Sequence, residues 1–346
     1  MEYRLLGRTG LYVSSLSLGT MGFGGANAFW RNIGDLTPED AKAQVSMALD
    51  AGVNLFDTAD FYSMGGSEAL LGETFAALGV PWYSVLISTK ARLRVGPGPN
   101  DVGLTRHHLM RQAEESLKRL KADHIDLYYL HSYDPLTPID ETLRALDDLV
   151  RSGKVRYVGC SNFHAWRMMK ALGVAERLSL PRMAAAQVYM SLVGRDVERE
   201  ITPLALEEGV SLVAWSPLAA GFLARTEAPN ETTRRGAFDY PPVVPEEGAR
   251  ARAAMKEVCA RHDAPAAAVA IAWAMGRPGF ASITVGGRTK AQLSDALRAA
   301  ELKLTAEDLA LLDAAAPPKP DYPGYTVERH IADRAPDAVS VANIME

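Results

Sequence analysis

Asn54-Leu55-Phe56-Asp57-Thr58-Ala59-Asp60-Phe61-Tyr62, Ile87-Ser88-Thr89-Lys90, Asp126-Leu127-Tyr128-Tyr129-Leu130-His131 and Gly159-Cys160-Ser161-Asn162 share one pattern. Each is a short apolar run that reads as a β-strand and ends on polar, chemistry-bearing residues. With these four, the expected strands lie near 15–18, 54–56, 85–88, 126–130, 155–158, 184–187, 211–214 and 281–284. Amphipathic helical patterns separate them at 105–120, 138–151, 164–172, 198–208 and 290–300. Another helix opens at Thr37-Pro38-Glu39-Asp40, with a capping threonine, proline in the first turn and acids after it. Strand–helix alternation predicts parallel strands with helical crossovers, and eight such units close into a (β/α)8 barrel. An open doubly wound sheet is the runner-up. Tyr3-Arg4-Leu5, Gly7-Arg8-Thr9-Gly10 and Leu11-Tyr12-Val13 predict a small β-hairpin ahead of the barrel.

The chain has 346 residues, 48% hydrophobic and 23% charged, with a formal net charge of −5. This length suits a single barrel domain over 1–346, with the barrel at about 14–300 and a C-terminal helix and tail at 305–346. No basic run suggests nucleic acid. No apolar stretch is long enough for a membrane span; the longest, 264–276, contains Pro265. The first residues lack the apolar core of a signal peptide. Two distant cysteines, Cys160 and Cys259, without a CxxC, argue against a disulfide framework or a thiolate zinc site and fit a reducing cytoplasm. His107 and His108 are adjacent, which is not a metal-ligand spacing, so a metal-dependent barrel hydrolase is disfavoured and no metal is expected.

The strand ends offer Asp57, Tyr62, Lys90 and His131. Singly, each has an ordinary role as cap, packing group or surface charge. Together they are the groups needed to protonate a carbonyl oxygen. A phenol with an ordinary pKa of about 10 is a poor acid at neutral pH. A lysine cation beside it favours the phenolate, and a carboxylate keeps that lysine charged. Tyr62 is thus the expected acid, Lys90 its activator, Asp57 the lysine partner and His131 the group that orients the carbonyl. Such a site needs a hydride source, and the sequence shows neither metal cluster nor flavin signature. No GxGxxG follows a strand: Gly22-Phe23-Gly24-Gly25-Ala26-Asn27 lacks the last glycine, and Gly96-Pro97-Gly98 is broken by proline. Barrels bind phosphate at the loops after strands seven and eight instead. Here these are Trp215-Ser216-Pro217-Leu218-Ala219-Ala220-Gly221 and Val285-Gly286-Gly287-Arg288-Thr289-Lys290-Ala291-Gln292. An arginine fork at Arg288 suits a 2′-phosphate, favouring NADP(H) over NAD.

The order and spacing of these segments resemble the aldo-keto reductases from about Tyr3 to Ala314, with Tyr62, Lys90, Asp57 and His131 matching that family's catalytic residues. The opening Tyr3-Arg4-Leu5-Leu6-Gly7-Arg8-Thr9-Gly10-Leu11 resembles the microbial aryl-alcohol-dehydrogenase-like branch, which also resembles potassium-channel β-subunits. The resemblance implies Trp215 stacked on nicotinamide and Ser161, Asn162 and Gln187 on its carboxamide. It implies Ser216, Leu218 and Gly221 at the pyrophosphate, Arg288 and Gln292 at the adenosine end, and cofactor contacts from Thr20, Met21, Asp57, Gly286 and Gly287. One departure is Ala296, where the family often has asparagine beside the adenine. The implied activity is NADPH-dependent, reversible reduction of an aldehyde or ketone, of a bulky or aromatic kind, by a cytoplasmic enzyme whose oligomeric state is open. The alternative is a cofactor-sensing subunit of channel β type with slow turnover. Long loops at 20–36, 91–104 and 219–248 would crowd the rim and shape a pocket. Phe23, Trp30, Phe61 and Tyr133 are the expected substrate contacts, with Phe29, Trp82 and Tyr189 as further aromatics.

Overall fold

The computed structural model describes residues 1–225, 240–319 and 321–331. The chain opens with an antiparallel hairpin of β1 (Tyr3–Leu5) and β2 (Tyr12–Ser14). Eight parallel strands follow: β3 (Leu16–Gly19), β4 (Leu55–Asp57), β5 (Leu86–Ala91), β6 (Ile125–Leu130), β7 (Val155–Ser161), β8 (Met183–Tyr189), β9 (Ser211–Trp215) and β10 (Phe280–Val285). They pair in sequence order, and β10 closes on β3 with Ile283 opposite Leu16, so the sheet has no free edge. This is the (β/α)8 barrel with an N-terminal hairpin that the alternation predicts. Every expected strand forms, with ends shifted by up to three residues.

Two apolar layers hold it together, and the strand period of two sorts residues between them. On β6, Leu127 and Tyr129 point into the barrel lumen while Tyr128 and Leu130 face the surrounding helices. The lumen cluster of Leu6, Val13, Leu55, Leu127, Tyr129, Ala184, Ala185, Val213 and Ala281 includes hairpin residues, so the hairpin is the barrel's floor. Full burial of each Leu or Val there contributes roughly 1.5–3 kcal/mol. Lumen space is tight: a Cβ on Gly159 would lie 2.6 Å from the Tyr129 ring. Arg4 fixes the hairpin further by donating to the Met275 and Phe280 carbonyls, each at 2.8 Å.

Helices follow their capping signals. Thr37 and Thr305 form capping boxes with Asp40 and Asp308, and Thr105 and Thr289 cap the helices Arg106–Leu120 and Lys290–Leu297. Helices Gly66–Leu78 and Pro245–His262 lack a side-chain cap, and the sequence patterns did not reveal them. In the first, glycine disguises the helix for a packing reason: a Cβ on Gly72 would overlap the Leu120 carbonyl of the neighbouring helix. The apolar stretch at 264–276 becomes the buried helix Ala266–Met275. The first long loop contains a short helix, Ala28–Ile33. Much of the 219–248 loop and of the tail after 315 lies outside the described residues. Among the described residues, no helix is long and apolar enough to cross a membrane. Both cysteines are free; burial pushes the Cys160 thiol up to about 12.

Gly7 joins hairpin to barrel at φ +58, and a Cβ there would overlap the Ala184 carbonyl. Gly10, in the same hairpin, would meet nothing within 4 Å. Gly7→Ala should lower the unfolding free energy by on the order of 1–3 kcal/mol through overpacking, whereas Gly10→Ala should leave the urea midpoint nearly unchanged. Equal midpoints for the two variants would contradict the floor role of the hairpin.

Candidate active site

A parallel barrel sends every strand's C-terminal end to one rim. Asp57 ends β4, Lys90 is the penultimate residue of β5, His131 follows β6, Ser161 ends β7, Gln187 lies on β8, Trp215 ends β9 and Gly286 follows β10. Residues spread over 230 positions thereby meet.

At the centre is Lys90, with no exposed side-chain surface. Its Nζ donates to Asp57 Oδ2 at 2.6 Å, to the Thr58 carbonyl at 2.7 Å and to the Tyr62 hydroxyl at 3.5 Å. Burial by itself would push Lys90 down. The Asp57 carboxylate and the Tyr62 oxygen outweigh it and hold the lysine above its ordinary value, so it is a cation at neutral pH. Asp57 Oδ1 accepts from Ser88 Oγ at 2.7 Å and Gln187 Nε2 at 2.9 Å, which fixes the carboxylate that holds the lysine. Tyr62 reaches this group because the chain reverses after it through Ser63, Met64 and Gly65, all at positive φ.

His131 packs edge-on against Tyr62, with ring centroids 5.7 Å apart. Burial, then the Lys90 and Arg92 charges, hold it well below its ordinary value, so the ring is neutral. Its backbone N–H donates to the Ala91 carbonyl at 3.0 Å, and its carbonyl accepts from Asn162 Nδ2 at 3.1 Å. The tetrad expected from sequence is thus one contiguous cluster. Arg92, two residues past Lys90 at φ 150, escaped the sequence reading because an arginine in a loop carries no signal of its own.

The expected pocket aromatics divide. Trp30 packs on Phe61 at 5.0 Å and on Tyr62 at 6.1 Å, with Phe29 at its edge, and forms an aromatic wall beside the phenol. Phe23 is not in that wall; it is fully buried in the barrel-to-helix core. Trp82 precedes β5 and packs on Phe75 at the opposite end of the barrel. Tyr133 packs on Phe163 and Arg167, and Tyr189 lies 5.0 Å from Trp215.

The expected cofactor residues form an arc from β7 to β10. Asn162 is more engaged than expected: it donates to His131 and Ser161 and accepts from Trp215 Nε1 at 3.0 Å, tying three strand ends together. Thr20 is fully buried and bonded to the Asp57 carbonyl and Ser67, which makes it a support of β4, while Met21 is half-buried beside it. The turn after Trp215 runs through Ser216, Ala219, Ala220 and Gly221 at positive φ, and Leu218 O accepts the Gly221 N–H. Tyr240 stacks on Trp215 at 6.2 Å. Gly286 and Gly287 form a turn that Gln44 braces from a neighbouring helix, and Gln292 Oε1 accepts the Arg288 N–H at 2.8 Å. The exposed Arg288 side chain has no ion pair among the described residues.

The Aldo/keto reductase family profile matches residues 15–317. An uncharacterized oxidoreductase, YrpG, of Bacillus subtilis is 37% identical, covering 90% of this chain and 95% of its own. The versiconal hemiacetal acetate reductase of Aspergillus parasiticus is 34% identical over 94% of this chain and 99% of its own. A probable voltage-gated potassium channel subunit beta of Arabidopsis thaliana is 33% identical over 87% and 92%. The chain therefore belongs to the aldo/keto reductase family, whose members are oxidoreductases acting on small-molecule carbonyl compounds.

Behind the tetrad lies a buried network that sequence reasoning passed over. Glu68 accepts from Thr89 Oγ1 at 2.5 Å and from Arg119 Nε at 2.7 Å. Asp60 is 1% exposed, its N–H donates to the Lys90 carbonyl, and its carboxyl oxygens have no side-chain hydrogen-bond partner among the described residues. Burial and the Glu68 charge push Asp60 well above the usual carboxylate range. The folded protein therefore keeps a proton on Asp60 that the unfolded chain releases near pH 4, so folding stability falls as pH rises above that value. Asp60→Asn should abolish that loss. Its melting temperature relative to wild type should rise steadily between pH 4 and pH 8. A difference independent of pH would show that Asp60 ionises normally.

Proposed function

We propose that this protein reduces an aldehyde or ketone to an alcohol, reversibly, with NADPH, and that its substrates are bulky or aromatic carbonyl compounds. The observation that carries the reading is the buried Lys90 cation held between Asp57 and Tyr62. The residues present suit a nicotinamide dinucleotide. Trp215 offers a ring beside the tetrad, Gly221 leaves open space where a Cβ would stand, and Arg288 offers a guanidinium with no ion pair among the described residues at the Gly286-Gly287 turn. Ser161, Asn162 and Gln187 are assigned to the carboxamide, Ser216, Leu218 and Gly221 to the pyrophosphate, and Arg288 and Gln292 to the adenosine end. Bound there, the cofactor supplies the hydride.

The protein's own groups handle the proton. Tyr62 donates it to the carbonyl oxygen as charge gathers there. The Lys90 cation favours the phenolate that remains, by simple Coulomb attraction. Asp57 keeps Lys90 aimed, and Ser88 and Gln187 keep Asp57 aimed. Neutral His131 donates a hydrogen bond to the same oxygen without adding a second cation. Donors fixed in advance toward a developing charge lower the barrier because nothing must reorganise. The Trp30–Phe61 wall would hold an apolar or aromatic body.

Tyr62→Phe should abolish carbonyl reduction while leaving NADPH affinity, read by fluorescence titration, nearly intact; wild-type turnover in that variant would remove Tyr62 from the acid role. Lys90→Met should be similarly inactive. Wild type should prefer NADPH to NADH, and Arg288→Ala should cut that preference roughly ten- to hundredfold, as expected for one lost charge-assisted contact. Equal use of both cofactors by wild type would overturn the Arg288 assignment. The cofactor-sensing reading rests on the likeness to channel subunits alone, and multiple turnovers at ordinary enzyme rates would exclude it.

A further inference from the structure

The loop after β6 and the helix Ala165–Arg177 enclose a groove of about 250 Å³, lined by Tyr133, Leu136, Arg167 and Lys170 among others. Arg167 is its organising group. The guanidinium carbon lies 3.8 Å from the Tyr133 ring centroid and 3.7 Å from that of Trp166, and Nη1 donates to the Tyr133 hydroxyl. Two rings and a hydrogen bond thus fix the fork. Yet among the described residues no carboxylate lies within ion-pair distance of Arg167 or of Lys170, one turn along. Asp134, on the same loop, is engaged: its oxygens accept from the Leu104 and Leu136 N–H groups and from Thr137. Arg167 is thus fixed by two rings and a hydroxyl while its charge meets no carboxylate among the described residues.

Position gives that charge a role. Tyr133 lies two residues beyond His131, and its ring packs edge-on at 5.6 Å on Phe163, the residue after Asn162. The groove therefore lies at the rim beside the ends of β6 and β7, the strands followed by His131 and Asn162, and away from β9 and β10, to which the pyrophosphate and adenosine contacts are assigned. A planar, weakly hydrated guanidinium held by rings is well made for bidentate recognition of a carboxylate. Leu136, 91% exposed, and Trp166, 55% exposed, add apolar surface for the body of such a molecule.

We propose that this groove is a carboxylate subsite: the protein selects carbonyl compounds that carry an acid group on an aromatic or apolar body, and Arg167 determines that selectivity. The proposal rests on the carbonyl-reduction reading above. It is tested by NADPH oxidation with two pairs of aldehydes, 4-carboxybenzaldehyde against benzaldehyde and 4′-formylbiphenyl-4-carboxylate against 4-formylbiphenyl. In at least one pair the acid should have the higher kcat/KM, through KM. Arg167→Ala should reduce that acid-to-neutral ratio roughly ten- to hundredfold. Arg167→Lys should restore it only in part, since an ammonium lacks the planar fork. Calorimetric titration of the full-length protein with biphenyl-4-carboxylate and its neutral amide reads the groove without turnover. Wild type should bind the acid more tightly, and Arg167→Ala should not. Equal ratios in wild type, or a ratio unchanged by Arg167→Ala, overturn the proposal. If no aldehyde is turned over, the carbonyl-reduction reading fails, and the titration alone decides: equal binding of acid and amide overturns the subsite.

Discussion

A fully buried ammonium group is the constraint on which this protein turns. Removing a cation from solvent is costly, and Lys90 is tolerated only because Asp57 and the Thr58 carbonyl stand within 2.7 Å. Deleting either charged partner of such a buried pair typically costs about 3–5 kcal/mol, because the survivor is left uncompensated. The Asp57 carboxylate is held in turn from β5 by Ser88 and from β8 by Gln187. The position of one charge therefore depends on strands across the barrel. The same cation sits 3.5 Å from the Tyr62 oxygen, where the proposed reaction would use it.

The barrel makes this affordable in structural terms by separating tasks along its axis. The floor is apolar, closed by the hairpin and filled by Leu55, Leu127, Val213 and their neighbours. The rim is polar and carries the loops. Between them, Tyr129, paired in register with Lys90 across β5 and β6, sits buried in the lumen with no hydrogen-bond partner for its hydroxyl among the described residues. Around the rim, the β9–β10 side offers glycine turns and Arg288, while the β6–β7 side offers stacked aromatics and Arg167. His131 and Tyr62 lie between these two flanks, which under the proposed function would leave one side for the cofactor and the other for the substrate.

The network behind the site shows how support can be hidden. Asp60, Glu68, Thr89 and Arg119 come from a loop, a helix, a strand and a second helix. None lies at a pattern position that sequence alone would mark. Their effect is local: Thr89 and the Lys90 carbonyl are gripped from behind, so the strand end that carries Lys90 has little freedom. A carboxyl group kept neutral by burial in this network is a store of pH sensitivity beside the reactive residues.

Strand existence, strand order and the meeting of Asp57, Tyr62, Lys90 and His131 at one rim were legible in the sequence, because the short apolar runs ending on Asp57, Lys90 and His131 are local signals that a parallel barrel brings to one rim. Helices announced by Thr37-Pro38, Thr105 and Thr289 were equally legible through their caps. Helix Gly66–Leu78 was not, since its Gly72 serves contact with a neighbouring helix and not local propensity. The aromatics divided for the same reason. Phe23, Trp30 and Trp82 look alike in sequence, but chain direction puts Trp82 at the floor, packing draws Phe23 into the core, and only Trp30 stands beside Tyr62. Which carbonyl and amide groups hold Asn162 and Asp57, and which arginines remain without a carboxylate, depend on distances between residues far apart in the chain. Sequence determined what chemistry could be built here; tertiary packing alone decided where each charge would sit and what would face it.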